Sequence, residues 1–252
     1  MQNRAHRIHQ TSDYPVPLPR SASRCSRRYL RRHETLHRAG ESFTVLFVVR
    51  LGHLKSLTLS EDGLVQVTEF LMAGDVIGLD GIDTGRHQSE VVALDDAEVF
   101  VLPFAQCEQW SQASAHAQRL LARTLASKIE RGHEHIVMLG TMQADQRLAT
   151  FLLDLSERYS RLGYSRSQFV LRMTRQEIGS YLGLQLETVS RALTRLQQEG
   201  VIHIQGKLIA LLDFAALREV SGTTPGHQGP VVDPILNQEG ELLSCSWSDN
   251  YN

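Results

Sequence analysis

Short runs of apolar or alternating residues recur from Arg27 to Leu102, and glycine and aspartate residues separate them. The runs are residues 45–49, 54–59, 65–70, 91–93 and 99–102. Residues 61–63 (Glu-Asp-Gly) form a turn signal between two of the runs, and Pro103 stops the last one. Short strands at roughly ten-residue spacing are typical of a β-sandwich or barrel, which we therefore predict over residues 27–112.

A different pattern covers residues 113–141, where apolar residues recur three, four or seven positions apart. This spacing predicts one long helix with a narrow apolar seam. The seam residues are Leu121, Leu125, Ile129, Ile136 and Leu139. Such a seam can pack on the chain's own barrel or on the same helix of a second copy, and the length of the helix favours the second copy. We therefore expect a homodimer that is built on this helix.

Residues 144–217 predict a separate helical domain. Thr174 and Glu177 have the spacing of a capping box, which marks the start of a short helix. Gly183 follows that helix at a point where a tight turn requires a positive φ, and a longer helix then covers about Leu186 to Gln198. Two short helices joined by such a turn indicate a helix-turn-helix motif.

Two further features favour that motif over an ordinary helical hairpin with a solvated face. Gly179 lies inside the first helix, where a small residue lets a second helix approach closely. Residues 201–204 and 207–211 flank Gln205-Gly206 and predict a β-hairpin, which would form the wing of the domain. The residues expected to face the core from the second helix are Val189, Leu193 and Leu196.

The polar face of the second helix carries side chains that suit DNA bases. Arg191 can donate two hydrogen bonds to guanine, Glu187 can accept one from the cytosine amine, and Ser190 suits either a base or a phosphate. The candidate contacts to the DNA backbone are Thr174, Arg175, Thr188, Arg195 and Lys207. Sequence-specific binding to double-stranded DNA is therefore the predicted activity.

Composition narrows the class of protein without deciding its function. Hydrophobic residues make up 42% of the 252 residues and charged residues 21%, as in a globular protein. No run approaches the roughly 18 apolar residues of a membrane span, and the arginine-rich N-terminus lacks the apolar stretch of a secretory signal. We expect a cytoplasmic protein with no membrane contact. Residues 1–26 and 221–252 contain many proline, serine or glycine residues, so we expect both segments to be disordered.

Cysteine and histidine spacing predicts no metal site. The three cysteines, Cys25, Cys107 and Cys245, lie far apart, so neither a zinc knuckle nor a local redox dithiol is expected. The nearest histidine pairs are His33 with His37 and His133 with His135. We interpret these histidines as solvated surface groups rather than as ligands.

The chain resembles the CRP/FNR family of bacterial regulators. The likeness extends from about Arg27 to Leu212 and is most specific at residues 173–184 (MTRQEIGSYLGL) and 187–191 (ETVSR). Residues 71–78 (LMAGDVIG) are also similar to the family's sensor barrel. The resemblance implies an α+β fold with an N-terminal cyclic-nucleotide-binding-type β jelly roll, a long dimerisation helix and a C-terminal winged helix-turn-helix.

The resemblance also implies a function. The stretch ETVSR matches the recognition signature of the FNR branch, so Glu187, Ser190 and Arg191 would read a palindromic site with TTGAT-type half-sites. The same likeness implies a transcription activator that contacts RNA polymerase, with oxygen or redox state as the candidate signal.

Two departures from the family bear on cofactors. The oxygen-sensing members hold a [4Fe–4S] cluster on four cysteines, whereas this chain has only Cys25 in its N-terminal segment and Phe100 where the barrel cysteine is expected. The members that bind cyclic AMP carry an acid and an arginine in a phosphate cassette. The equivalent residues here are 78–80 (Gly-Leu-Asp) and 87–89 (His-Gln-Ser), and Arg86 lies a few residues off the expected position. We therefore expect neither an iron–sulfur cluster within one chain nor cyclic AMP, and no other cofactor.

Two functions remain open from the sequence. The first is a sequence-specific transcription regulator, and the second is a sensor of small molecules in which DNA binding is secondary. We expect no enzyme, because the sequence shows no nucleophile–base pair, phosphate loop or metal-ligand spacing.

Overall fold

The computed structural model describes residues 26–59 and 63–222. The strands are β1 (Ser26–Leu30), β2 (Thr35–His37), β3 (Val45–Leu51), β4 (Leu54–Leu59), β5 (Val65–Leu71), β6 (Val76–Ile77), β7 (Glu90–Ala93), β8 (Ala97–Pro103), β9 (Gln168–Val170), β10 (Ile202–Gln205) and β11 (Leu208–Leu211). The helices are α1 (Phe104–Ala113), α2 (Ala115–Thr141), α3 (Ala144–Arg161), α4 (Arg175–Leu182), α5 (Leu186–Gln198) and α6 (Phe214–Ser221). Across these two ranges, none of the helices is long and apolar enough to cross a membrane.

Two antiparallel sheets of four strands form the N-terminal barrel. One sheet has the strand order β1-β8-β3-β6 and the other has the order β2-β7-β4-β5. Successive side chains of a strand point to opposite faces, so each sheet turns one face inward, where Val49, Leu54 and Val99 are fully buried. The five runs predicted from the sequence correspond to β3, β4, β5, β7 and β8.

The sequence pattern does not reveal α1, β9 or α6. Pro103 ends β8 as expected, but it is also the residue that precedes the first turn of α1. β9 adds a third strand to the β10–β11 hairpin. α6 starts because Asp213 Oδ1 accepts hydrogen bonds from the amides of Ala215 at 2.9 Å and Ala216 at 3.0 Å. The domain end predicted at residue 217 therefore falls inside a helix.

The two segments predicted to be disordered, residues 1–26 and 221–252, lie outside the described residues except at their inner ends. Ser26 is the first residue of β1. Ser221 is the last residue of α6, and Gly222 ends that helix in the left-handed conformation. The predicted boundaries are therefore wrong at these three residues, because strand pairing and a helix cap hold them.

The barrel and the helices that follow α2 share one hydrophobic core. The barrel residues in this core are Val67, Phe70, Met72 and Leu94. They are buried together with the inner faces of α3, α4, α5 and α6. The ring of Phe70 lies 5.9 Å from that of Phe151 and 5.2 Å from that of Tyr181, measured between centroids. Burial of this apolar surface favours the docked arrangement of the two units.

Asp75, in the turn between β5 and β6, joins the barrel to both α2 and α3. Its Oδ2 accepts from Arg158 Nη2 at 2.5 Å and from the Met72 amide at 2.8 Å. Its Oδ1 accepts from Arg131 Nη1 at 3.1 Å. Burial raises the pKa of Asp75, but the two guanidinium groups outweigh burial and hold that pKa below its ordinary value. The side chain is only 11% exposed, so water screens these ion pairs little.

Further polar contacts attach α4 to the barrel. Lys55 Nζ on β4 lies 2.6 Å from Glu177 Oε1. The Ser180 hydroxyl accepts a hydrogen bond from the Val67 amide at 2.8 Å. Because β5 is the edge strand of its sheet, α4 satisfies a backbone donor that would otherwise face solvent.

We predict that Asp75→Ala lowers the free energy of unfolding by about 3 kcal/mol, because it leaves Arg158 buried without its carboxylate. Asp75→Asn should cost less, since an amide oxygen can still accept from the Met72 amide. Urea unfolding measures both values. The exposed Asp83, on the same barrel, provides the control, and Asp83→Ala should change stability by less than about 0.5 kcal/mol. Equal stability of the Asp75→Ala and Asp83→Ala variants would contradict the role of Asp75.

Candidate nucleic-acid interface

The capping box at the start of α4 is confirmed. The Thr174 hydroxyl accepts from the Glu177 amide at 3.2 Å, and Glu177 Oε2 accepts from the Thr174 amide at 2.6 Å. Lys55 of the barrel donates a hydrogen bond to the other carboxylate oxygen of Glu177, Oε1. Burial raises the pKa of Glu177, but the bonds from Lys55 and Thr174 outweigh burial and lower that pKa overall. The cap is therefore an ionised group that the barrel helps to position.

Two glycines set the crossing of α4 and α5. A Cβ atom at Gly179 would lie 2.6 Å from the carbonyl oxygen of Leu184, which is closer than a Cβ atom comes to a non-bonded backbone oxygen in proteins. The Leu184 amide donates to the Gly179 carbonyl at 2.8 Å, so the two backbones are in direct contact. Gly183 has φ 63°, in the left-handed region that glycine adopts without strain. These observations confirm the tight turn predicted at Gly183 and the close approach predicted at Gly179.

α5 presents one apolar and one polar face. Val189, Ala192, Leu193 and Leu196 are buried on the inner side. On the outer side Glu187 and Arg191 are exposed, and Ser190 is half-buried between them. The structure therefore brings the three predicted base-reading residues to one face, which also carries an open depression of about 370 Å³. The residues that line this depression are Ser190, Arg191, Thr194, Arg195 and Gln198.

Thr194 and Gln198 are the residues of this surface that sequence reasoning missed. Both are exposed, and they follow Ser190 at intervals of four. The Thr194 hydroxyl donates to the Ser190 carbonyl at 3.0 Å, which leaves its oxygen free to accept. Their helical spacing from Ser190 is the signal that could have revealed them.

The five residues predicted to contact the DNA backbone lie on or around α5. They differ in whether their polar groups already bind another part of the protein. Arg175 and Lys207 are exposed, Lys207 at the turn of the β10–β11 wing and Arg175 in the first turn of α4. Thr188 is half-buried in the first turn of α5. The Thr174 hydroxyl serves the capping box and Arg195 Nη1 binds Asp145 Oδ2, so a phosphate would have to share or displace these bonds.

α2 carries a second surface of interest, an exposed stripe with alternating four- and three-residue spacing. We call it the α2 stripe, and its residues are Ala122, Ala126, Ile129, His133, Ile136 and Gly140. Ile129 is 60% exposed and Ile136 is 65% exposed, which is unusual for isoleucine. This alternation is the spacing of a coiled-coil seam.

The α2 stripe differs from the predicted seam at three residues. Leu139 packs against the core of the C-terminal helices in the same chain. Leu121 and Leu125 are half-buried. Leu139 is therefore partly covered within its own chain, where its side chain lies close to the turn at Gly183.

Two of the histidines interpreted as solvated are in contact with other rings. His37 is 4% exposed and stacks on His87 with centroids 3.8 Å apart. His135 stacks on Tyr181 of α4 at 4.2 Å. Residue spacing along one strand or helix cannot show these contacts, because each partner comes from a distant segment. Residues 26–59 and 63–222 contain no cluster of three or more histidine, cysteine or acidic residues suited to a metal ion.

Two protein-family models match the chain. The Cyclic nucleotide-binding domain model matches residues 27–114, and the Crp-like helix-turn-helix domain model matches residues 146–220. The transcriptional regulatory protein btr of Bordetella pertussis is 40% identical over 191 residues, which are 76% of this chain and 79% of that protein. The chain belongs to the CRP/FNR family.

Further similar proteins support this membership of the CRP/FNR family. The fumarate and nitrate reduction regulatory protein of Escherichia coli K12 is 36% identical over 195 residues, 77% of this chain and 78% of that protein. The structure of FixK2 from Bradyrhizobium japonicum matches with a TM-score of 0.72 and 29% identity, over 79% of this chain and 98% of that one. The relatives are transcription regulators and not enzymes. The predicted fold class is confirmed, and the chain is an FNR-type transcription regulator with a DNA-binding helix-turn-helix.

The barrel's family name implies a cyclic nucleotide, but its residues do not fit one. Arg86, the nearest arginine to the phosphate position, donates instead to the Gly40 carbonyl at 2.8 Å. Leu79 stands where the ribose-binding acid is expected, and it packs on a hydrophobic cluster of the barrel. The carboxylate of Asp80 already occupies the neighbouring backbone donors of Gln88 and Ser89. A phosphate there would meet a like charge and no arginine.

We predict that Gly179→Ala destabilises the chain by about 2 kcal/mol, because the added methyl group overlaps the Leu184 carbonyl. The α4–α5 crossing should shift, so DNA affinity should fall as well. Gly132→Ala is a matched control, since Gly132 lies in α2 with open space around it. That change should stabilise the helix by up to about 1 kcal/mol. Thermal unfolding of both variants gives the comparison, and a neutral Gly179→Ala would refute the close approach.

Proposed function

We propose that this regulator binds palindromic DNA as a homodimer, with one α5 helix in each of two successive major grooves. The observation that carries this proposal is the exposed face of α5, where Glu187 and Arg191 lie four positions apart beside Ser190. An α-helix fits the major groove, where each base pair presents a distinct pattern of donors and acceptors. The stretch ETVSR supports TTGAT-type half-sites as the sequence read.

Each side chain of that face has a distinct proposed role. Arg191 donates two hydrogen bonds to a guanine, Glu187 accepts from a cytosine amine, and Ser190 binds a base or a phosphate. The proposed phosphate contacts are Thr174, Arg175, Thr188, Arg195 and Lys207. These contacts orient α5 in the groove without selecting sequence.

The α2 stripe is the proposed dimer surface. Two copies of α2 packed through Ile129 and Ile136 would remove exposed isoleucine side chains from water. The small residues Ala122, Ala126 and Gly140 would let the two backbones approach. A dimer of this kind holds two α5 helices at a fixed separation, and half-sites one DNA turn apart require a separation of about 34 Å.

The relatives support proposals for the partners of this protein and for the signal that it senses. We propose RNA polymerase as a protein partner, activation as the outcome, and the cytoplasm as the location, since the DNA target lies there. The anaerobic regulatory protein of Pasteurella multocida is 40% identical to this chain, which supports oxygen or redox state as the signal. We infer that the signal does not act through a [4Fe–4S] cluster within one chain, because the sequence has three cysteines and such a cluster uses four thiolates.

The proposed division of the chain is a barrel at 27–112, a dimer helix at 113–141 and a DNA-binding domain from 144. The start of α2 at Ala115 and of α3 at Ala144 supports these limits. The end of α6 at Ser221 supports an end of the last domain near residue 221 rather than 217.

Arg191→Ala should weaken binding to a duplex with two TTGAT half-sites by about 100-fold, since each protomer loses a bidentate base contact worth roughly 1–3 kcal/mol. Arg191→Lys keeps the charge but not the paired geometry, so it should lose discrimination against altered half-sites. Gel-shift titrations at fixed salt measure both. Arg161→Ala, an exposed arginine of α3, is the control and should bind normally. Wild-type affinity of Arg191→Ala would exclude α5 as the reading helix.

Ile136→Glu should weaken the dimer at least tenfold, because it places two carboxylates in an apolar contact. Analytical ultracentrifugation over a range of concentrations measures the change. Glu130→Gln, an exposed position beside the α2 stripe, should leave the dimer intact. If Ile136→Glu sediments as the wild type does, the dimer must use another surface.

A further inference from the structure

The barrel loop from Gly78 to Ser89 closes on itself around one carboxylate oxygen. Asp80 Oδ2 accepts from the Gln88 amide at 2.9 Å, the Ser89 amide at 2.9 Å and the Ser89 hydroxyl at 2.7 Å. Its Oδ1 lies 3.6 Å from His87 Nδ1. Three donors therefore converge on a single oxygen atom.

This arrangement of donors is typical of an anion-binding site. We call the Gln88 amide, the Ser89 amide and the Ser89 hydroxyl the cradle. Consecutive backbone amides and a hydroxyl aimed at one point bind phosphate or carboxylate oxygens in many proteins. Here the donors come from Gln88 and Ser89, within the segment 87–89 that is equivalent to part of the phosphate cassette in members of this family that bind cyclic AMP. In this chain the side chain of Asp80 occupies these donors.

We propose that Asp80 is a built-in anion that fills this cradle, so that the barrel holds its own ligand and binds neither cyclic nucleotide nor free phosphate. The cradle itself is specific for a small oxyanion, a carboxylate or a phosphate oxygen. It becomes available to an external anion only when the Asp80 carboxylate is removed.

The surroundings match an occupied cradle. The Arg86 guanidinium, which could attract a phosphate, instead donates to the Gly40 carbonyl at 2.8 Å. The Gln88 side chain donates to the Thr84 hydroxyl at 2.7 Å, which fixes the loop behind the donors. These residues use their polar groups to hold the loop closed rather than to present charge to a ligand.

The charge state is consistent with this assignment. Burial raises the pKa of Asp80, but the bonds from Ser89 and Gln88 outweigh burial and lower it, so the group is ionised at neutral pH. Burial and the adjacent His87 lower the pKa of His37 to about 4, so this buried ring is neutral. The carboxylate is therefore stabilised mainly by hydrogen bonds, which is how a cradle binds its anion.

Tethering makes the occupant hard to displace. A group on the same loop acts at an effective concentration in the millimolar range or above, without loss of translational freedom. A phosphate that entered beside Asp80 would meet a like charge within a few ångströms and find the three donors in use. External anions therefore compete poorly with Asp80.

The test is chemical rescue in the full chain. Asp80→Ala should lower Tm and should then respond to sodium formate or sodium phosphate, compared with sodium chloride at equal ionic strength. The expected response is a saturable rise of about 3 °C when the anion is near ten times its Kd. Asp80→Asn keeps the cradle filled with an amide oxygen, so it should show no such rise. Asp83→Ala, an exposed acid of the same turn, and the wild type should also show none.

A second measurement keeps the proposal testable if Asp80→Ala does not fold. Phosphate and cyclic AMP at millimolar concentration are titrated into the wild type while the Gln88 and Ser89 amide resonances are followed by NMR. Unchanged resonances support the proposal. Resonances that shift in a saturable way, or a folded Asp80→Ala variant that responds to anions no more than Asp83→Ala does, would overturn it.

Discussion

The carboxylate of Asp75 is shared by the barrel, the long helix α2 and the first helix of the DNA-binding domain. It binds Arg131 and Arg158 from two different helices, while the Met72 amide fixes it within its own turn. A carboxylate that binds two guanidinium groups orients both partners as well as attracting them, because each oxygen accepts from a separate donor. The relative position of α2 and α3 therefore depends on a barrel residue, and with it the position of α5 relative to the α2 stripe.

The contact between the barrel and α4 carries this constraint to the DNA-binding surface. Glu177 caps α4 with one oxygen and binds Lys55 of the barrel with the other. α4 in turn touches α5 through Gly179 and Leu184, where the backbones leave no room for a Cβ. A series of direct contacts therefore connects β4, through the capping residue Glu177, to the helix that presents Arg191. Each contact in this series is made by one polar pair or one glycine.

Features determined by neighbouring residues were predictable from the sequence, and features determined by distant partners were not. The capping box at Thr174, the turn at Gly183 and the strand alternation involve residues only a few positions apart. The His37–His87 stack, the Asp75 ion pairs and the packing of Leu139 join segments far apart in the chain, and residue type alone does not specify the partner. His37 was interpreted as solvated for this reason. On α5 the outer face was predictable because it follows from helical spacing alone.

The filled cradle and the interdomain contacts together restrict how a signal can control DNA binding. A ligand shifts an equilibrium between two conformations only by binding them with different free energies. The cradle cannot supply that difference while Asp80 occupies its donors. The contacts between the barrel and the DNA-binding domain include the ion pairs of Asp75 and Lys55, the hydrogen bond from the Val67 amide to Ser180 and the apolar contact of Phe70. A signal that altered one of these contacts, or the α2 stripe proposed to set the distance between two α5 helices, would change how α5 is presented to DNA.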